Sequence, residues 1–138
     1  MNSNSPSVLV TPVVEHDGLA YLSGQLPRID GELVHRGRVG DTIDVETART
    51  AAQLATKAAI ALIRTRLGER FVRIVKITGF VASAPDFTEQ GAVIDAASQL
   101  LVDTFGAAGE HARSAIGVAQ LPHGACVEVE LLAAVSRR

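Results

Sequence analysis

From Ala125 to Val135 every odd position is apolar: Ala125, Val127, Val129, Leu131, Ala133 and Val135. The even positions, Cys126, Glu128, Glu130, Leu132 and Ala134, are mixed and include two carboxylates. A period of two marks a strand whose side chains alternate between the two faces of a sheet. One face of this strand needs an apolar cover and the other carries charge. The chain is thereby committed to a layered fold, and the question becomes what covers each face.

Two segments have the pattern to cover the apolar face. Asp44 is a good N-cap, Glu46 adds favourable charge in the first turn, and Ala48, Ala51, Ala52, Ala55, Ala58, Ala59, Leu62 and Ile63 form a stripe at helical spacing. Gly68 is the expected C-cap, with Arg64 and Arg66 suited to the last turn. Asp86-Phe-Thr-Glu89 reads as a capping box for a second helix. That helix turns Ala92, Val93, Ala96, Ala97, Leu100 and Leu101 inward and stops near Phe105, before Gly106. Inner faces dominated by alanine allow both helices to approach a sheet closely.

The remaining strands are Ser7 to Val14 and Leu19 to Ser23, joined through Asp17-Gly18, a strong hairpin signal. Phe71 to Ala82 is rich enough in Val, Ile and Phe to read as a central strand covered on both faces. Arg28 to Gly40 is polar and glycine-rich: a loop with a turn at Asp30-Gly31 and a short strand at Glu32 to His35. Ala107 to Ala112 is a loop carrying His111, and Arg113 to Glu130 reads as two strands joined by a turn. The order ββ(β)αβαββ describes one α+β domain over residues 1–138, with both helices on one face of a mixed sheet. The opposite face then lacks cover, which points to association of the chain with copies of itself.

Composition narrows the function classes. A hydrophobic fraction of 47% with 20% charged residues suits a globular domain. A net charge of −2 and 4% aromatics argue against a nucleic-acid surface. One cysteine permits neither an internal disulfide nor a thiolate metal cluster. The polar stretch Met1 to Ser7 does not read as a signal peptide, and no run approaches membrane-spanning length, so a cytoplasmic location is expected.

If the last two strands pair as a hairpin, alternation puts Arg113, Ala115 and Gly117 of one arm on the face that carries Cys126, Glu128 and Glu130 of the other. A cation, two carboxylates and a floor of small side chains would make a small-anion pocket with a built-in base. Arg113 has two open readings: an exposed salt bridge to Glu128 or Glu130, worth about 0–1 kcal/mol, or a bidentate clamp on a substrate carboxylate. The glutamates are solvated if their face is wet. If it is an interface, each must find a partner or shift its pKa upward. Cys126 reads as a small buried hydrophobe. The four histidines fall in turns or loops without metal-ligand spacing, and His111 faces either a pocket rim or solvent. Gly24 and Gly79 interrupt strand patterns, as at a bulge or a close backbone approach.

Ser23-Gly-Gln-Leu-Pro27, Val75-Lys-Ile-Thr-Gly-Phe-Val81 followed by Asp86-Phe87, Arg113-Ser-Ala to Leu121-Pro122, and Val127-Glu-Val-Glu130 together resemble the Rid family. That family is also called YjgF or endoribonuclease L-PSP. The resemblance runs in order along nearly the whole chain and points to a divergent subgroup. It implies a chorismate-mutase-like fold and a homotrimer whose sheets form a central barrel, with helices outside and three clefts between subunits. It implies hydrolysis of small reactive enamine and imine acids to 2-keto acids and ammonia, with no metal or organic cofactor, and small carboxylates rather than nucleic acid or membrane as partners.

By that resemblance Arg113 binds the substrate carboxylate and Glu128 holds and activates the attacking water. Gly24 brings backbone near the ligand, and Ala115 occupies a position that is cysteine in many deaminases. Glu130 becomes a structural or rim residue. Two departures stand out. The stretch Val8 to Val14 holds no equivalent of the family's cleft tyrosine, and Tyr21, within the second strand, is not an obvious replacement. Gly91 stands where asparagine is frequent. A non-catalytic trimeric binder of small carboxylates, such as a metabolite sensor, is the alternative reading. The ribonuclease sense of the older family name has no support in a basic cluster or a histidine pair.

Overall fold

Two Asp-Gly pairs shape the N-terminal part of the chain. In the computed structural model, which describes residues 9–137, β1 (Val13–His16) and β2 (Leu19–Leu22) pair antiparallel with Val14 opposite Tyr21. Asp17 and Gly18 have φ of 52° and 79°, the doubly left-handed geometry that makes Asp-Gly favourable in a two-residue hairpin turn. Asp30 and Gly31 repeat it, at 52° and 80°, between β3 (Arg28–Ile29) and β4 (Glu32–Leu33). The first strand therefore starts later than expected, at Val13, and residues 1–8 lie outside the described residues.

Helix α1 (Val45–Leu62) starts where its cap is. The Thr47 backbone N–H donates to Asp44 Oδ1 at 2.7 Å, and that bond holds the Asp44 carboxyl below its ordinary pKa. The buried stripe is Ala48, Ala51, Ala52, Ala55, Thr56, Ala59 and Ile60; Thr56, whose hydroxyl donates to the Ala52 carbonyl at 2.7 Å, is buried where Ala58 is only partly so. A wide turn over Ile63–Leu67 follows, closed by the Gly68 N–H bonding to the Ile63 carbonyl, with Gly68 at φ 57°.

The second helix departs from its expected start. α2 (Gln90–Phe105) begins at Gln90, and no side chain caps it, so the capping box of Asp86 and Glu89 does not form. Phe87 packs against the core beside Gly40, and the segment before Gln90 is not helical. The Gln90 amide instead donates to the Phe87 carbonyl at 2.9 Å and contacts Ser83 Oγ at 3.2 Å.

β5 (Phe71–Ala82), β6 (Ala112–Val118) and β7 (Val127–Val135) complete one five-stranded sheet, ordered β1-β2-β7-β5-β6. β5 is central, parallel to β6 on one edge and antiparallel to β7 on the other. The final two strands are thus not a hairpin; they flank β5. The long apolar run of β5 takes the middle of the sheet, where both of its backbone edges are paired.

Both helices lie on one face. Beneath them sit Ala20, Ile74, Ile77, Val81 and the odd residues of β7, all buried. A Cβ on Gly79 would overlap the Ile94 side chain, so this glycine brings α2 close to the sheet and is not a ligand contact. The other face carries Val14, Tyr21, Lys76, Thr78, Phe80, Ile116, Glu128, Glu130 and Leu132. Tyr21 and Ile116 are 48% and 41% exposed there. β5 is accordingly covered on one face only, contrary to the reading of its continuous apolar run.

Candidate functional site

Glu128 stands on the uncovered face, opposite Phe80. The chain leaving β2 is tied alongside β7 by two backbone bonds, Gln25 N–H to the Val129 carbonyl at 2.8 Å and Val129 N–H to the Gln25 carbonyl at 3.0 Å. This brings Gly24 directly against the Glu128 carboxylate, where any Cβ would overlap the carboxyl group. Gly24 φ is not left-handed, so space is what requires glycine here. Packed in this way, Glu128 is half-buried. Burial raises its pKa above the ordinary carboxylate value, and the Glu130 charge, on the same face two residues along, raises it further. Glu130 itself is exposed.

Arg113 belongs to the other side of the sheet. It pairs with Ile77 and Ala115 pairs with Gly79, both helix-facing positions, whereas Glu128 pairs with Phe80 in the same uninterrupted stretch of register. Residues 77 and 80 of one strand point to opposite faces. The expectation that Arg113 and Glu128 share a face of one chain is therefore overturned, because it assumed that β6 and β7 pair with each other.

The counter-ion of Arg113 also differs from expectation. Its Nη1 donates to Asp95 Oδ1 of α2 at 2.6 Å, not to Glu128 or Glu130. Nη2 looks toward Gly91, one helical turn before Asp95, where an added Cβ would lie 3.6 Å away. Gly117, farther along β6, has the Gln90 amide packed against it, and an added Cβ there would lie 2.6 Å from the amide nitrogen. Arg113 thus lies between α2 and β6 in a trough bordered by Gly91 and Asp95; Asp95 also borders a depression lined by Arg49, Ser98, Gln99 and Val102. Asp95 was not singled out in the sequence. Only the crossover that lays α2 over β6 reveals it, although its i+4 spacing from Gly91 places both on one helix face.

The other candidates separate cleanly. His111 Nδ1 lies 2.5 Å from the Gly109 carbonyl and Nε2 lies 2.8 Å from Ser98 Oγ. A carbonyl only accepts, so Nδ1 donates to Gly109, while Nε2 shares a hydrogen bond with the Ser98 hydroxyl. His111 is a half-buried tie between the β6 approach and α2, not a free rim residue. Cys126 is wholly buried in the core, and burial pushes its thiol up to about 11. Tyr21 shares the open face with Glu130, beside a shallow depression of about 320 Å³ also bordered by Lys76, Thr78 and Leu132. Among the described residues no group of three or more His, Cys, Asp or Glu side chains is placed to hold a metal, and no helix is long and apolar enough to cross a membrane.

The sequence matches the family described as endoribonuclease L-PSP over residues 4–135. It is 42% identical over 115 residues to protein TCP17 of Trypanosoma cruzi, covering 81% of this chain and 72% of TCP17. Against AldR of Lactococcus lactis, described as a regulator, identity is 31% over 121 residues, covering 86% of this chain and 81% of AldR. The crystal structure of Atu1372 from Agrobacterium tumefaciens, a protein of unknown function, superposes with a TM-score of 0.91 at 38% identity, covering 94% of this chain and 84% of that one. Sequence motifs, sheet order and these likenesses agree: the chain belongs to the endoribonuclease L-PSP family, also called the Rid or YjgF family.

Proposed function

We propose that the protein is a homotrimer that binds small carboxylates between subunits and hydrolyses reactive 2-enamino and 2-imino acids to 2-keto acids and ammonia. The observation that carries this reading is Glu128 held against Gly24, half-buried with a raised pKa, on a sheet face that the chain leaves uncovered. A carboxylate of raised pKa on such a face is a suitable general base.

Arg113 pairs with the carboxylate of the acid and so fixes the carbon to be attacked. Once the enamine has tautomerised to the protonated imine, Glu128 takes a proton from water as the water oxygen bonds to that carbon and the C=N electron pair moves to nitrogen. The carbinolamine then breaks its C–N bond. Glu128 returns the proton to the departing nitrogen and then accepts the hydroxyl proton as the O–H electrons form the carbonyl, leaving ammonia and the keto acid. Imines are intrinsically reactive, so general-base assistance of about 10²–10⁴-fold is a sufficient contribution.

Because Arg113 and Glu128 point to opposite faces of their own sheet, a small acid touching both needs them from different chains. Trimerisation through the open face is the arrangement this reading requires. Gly24 serves as the close backbone wall near Glu128, and Ala115 as part of the floor near Arg113, without the thiol that many deaminases carry there.

The assay generates 2-aminoacrylate in situ with a dehydratase and follows keto-acid release. Acceleration by the wild type, lost in both Arg113→Ala and Glu128→Gln and regained when the two inactive chains are assembled together, supports the whole reading. Absence of acceleration by the wild type rejects deamination of this substrate. A second reading, a non-catalytic binder of small carboxylates acting as a metabolite sensor, is favoured by the missing cleft tyrosine and by the regulator description of AldR. Calorimetric binding of 2-ketobutyrate without turnover of 2-aminoacrylate selects it. The ribonuclease sense of the family name finds no help in a net charge of −2.

A further inference from the structure

We infer that Arg113 and Asp95 form a receptor for a zwitterion, and that Asp95 selects acids carrying a cationic nitrogen beside the carboxylate over the corresponding keto acids. The inference rests on the reading of Arg113 as a carboxylate clamp and names the charge state of the ligand it takes.

The argument begins with what the pair is not. Arg113 Nη1 and Asp95 Oδ1 are 2.6 Å apart, yet their side chains are 30% and 60% exposed. An ion pair this accessible adds little to folding, and it remains within reach of a ligand. It also stands at an opening. Nη2 faces Gly91, and the absence of a side chain there leaves room beside the guanidinium. On the β6 side the Gln90 amide lies against Gly117, and its nitrogen is already bonded to the Phe87 carbonyl and Ser83. Arg113 and Asp95 are the charged pair beside Gly91; Arg49, whose Nη1 donates to the Ala92 carbonyl, also lines the depression that Asp95 borders.

A simple carboxylate entering here gains Arg113 but meets the Asp95 charge, which competes for the same guanidinium. An acid with a protonated nitrogen on the adjacent carbon meets no such conflict. Its carboxylate takes the guanidinium edge facing Gly91 while its nitrogen donates to Asp95. In a 2-iminio acid that nitrogen is the protonated imine itself, so Asp95 favours the electrophilic form of the substrate. The keto acid left after hydrolysis has no donor for Asp95, and the same carboxylate then favours its departure.

The test is calorimetry with two acids of one carbon skeleton, 2-aminobutyrate and 2-ketobutyrate, on the intact protein. The wild type is expected to prefer the amino acid. Asp95→Asn is expected to reverse the order, weakening 2-aminobutyrate roughly tenfold, as loss of a charged hydrogen-bond partner implies, while strengthening 2-ketobutyrate. Asp95→Glu keeps the charge and should keep the preference. It guards against misreading a structural defect in the first variant. In the deaminase assay Asp95→Asn should lower kcat/KM while inhibition by the keto-acid product becomes stronger, opposite movements that simple loss of structure does not produce. If both acids bind the wild type with an order that Asp95→Asn leaves unchanged, the zwitterion receptor is overturned and the carboxylate clamp survives. If neither acid binds, both fall.

Discussion

On the covered face of the sheet Ile77, Val81, Val129 and Leu131 are buried beneath two helices, with a glycine at position 79 to let the second helix approach. Their neighbours one residue along, Thr78, Phe80, Glu128 and Glu130, lie on the face that carries no helix. The same strands thus serve two ends. One face holds the fold together by apolar burial, and the other, in the proposed function, serves association and chemistry. Glu128 is the instructive exception on the open side. It is half-buried because Gly24 is folded against it, and so its pKa rises where that of a freely solvated glutamate would not.

Substitutions on the two faces should therefore fail in different ways. The largest effect is expected from Glu128→Gln, which should lower the proposed deaminase rate by about 10²–10⁴-fold without lowering the melting temperature. A parallel collapse of stability in thermal denaturation would make this residue structural and break the contrast. Next is Ile77→Ala on the covered face, expected to cost about 2–5 kcal/mol in chemical denaturation. Its counterpart Ile116→Ser on the open face should change the stability of a single chain by less than about 0.5 kcal/mol while weakening self-association in sedimentation. Gly24→Ala, which forces a methyl group onto the Glu128 carboxylate, should cost about 1–3 kcal/mol and also reduce the rate.

The smallest effect is a slope with pH. Glu128 binds its proton more tightly when folded, so its contribution makes stability fall as pH rises from the ordinary carboxylate range through its raised folded value. Glu128→Gln should remove that component from melting curves taken across the range. The proposed base is competent when ionised, so activity should rise over the interval in which this stability component falls.

Local periodicity carried much of the fold. The Asp-Gly turns, the alanine stripe of α1 and the alternation of β7 all depend on near neighbours, and each was legible from residue types. Partner choice was not. Arg113 to Glu130 looks like a hairpin because consecutive strands commonly pair, but nothing in those residues says that β5 will lie between them. The start of α2 was misplaced because Asp86 and Glu89 carry a capping pattern, while in the fold Phe87 packs against the core and the Gln90 amide bonds back to its carbonyl. At the site, a close approach at Gly24 was foreseeable from an interrupted pattern, but not that the Glu128 carboxylate is what it approaches. The Asp95 counter-ion was not, since it depends on a helix crossing an edge strand.

That edge has a consequence for handling the protein. β6, from Ala112 to Val118, pairs with β5 on one side only among the described residues, and it carries the exposed Ile116. An unpaired strand of this length is a template for adding foreign strands. Dilution or mild denaturant that separates the proposed trimer should therefore produce turbidity rather than a clean population of monomers, and a small ligand that bridges subunits should act as a solubility agent.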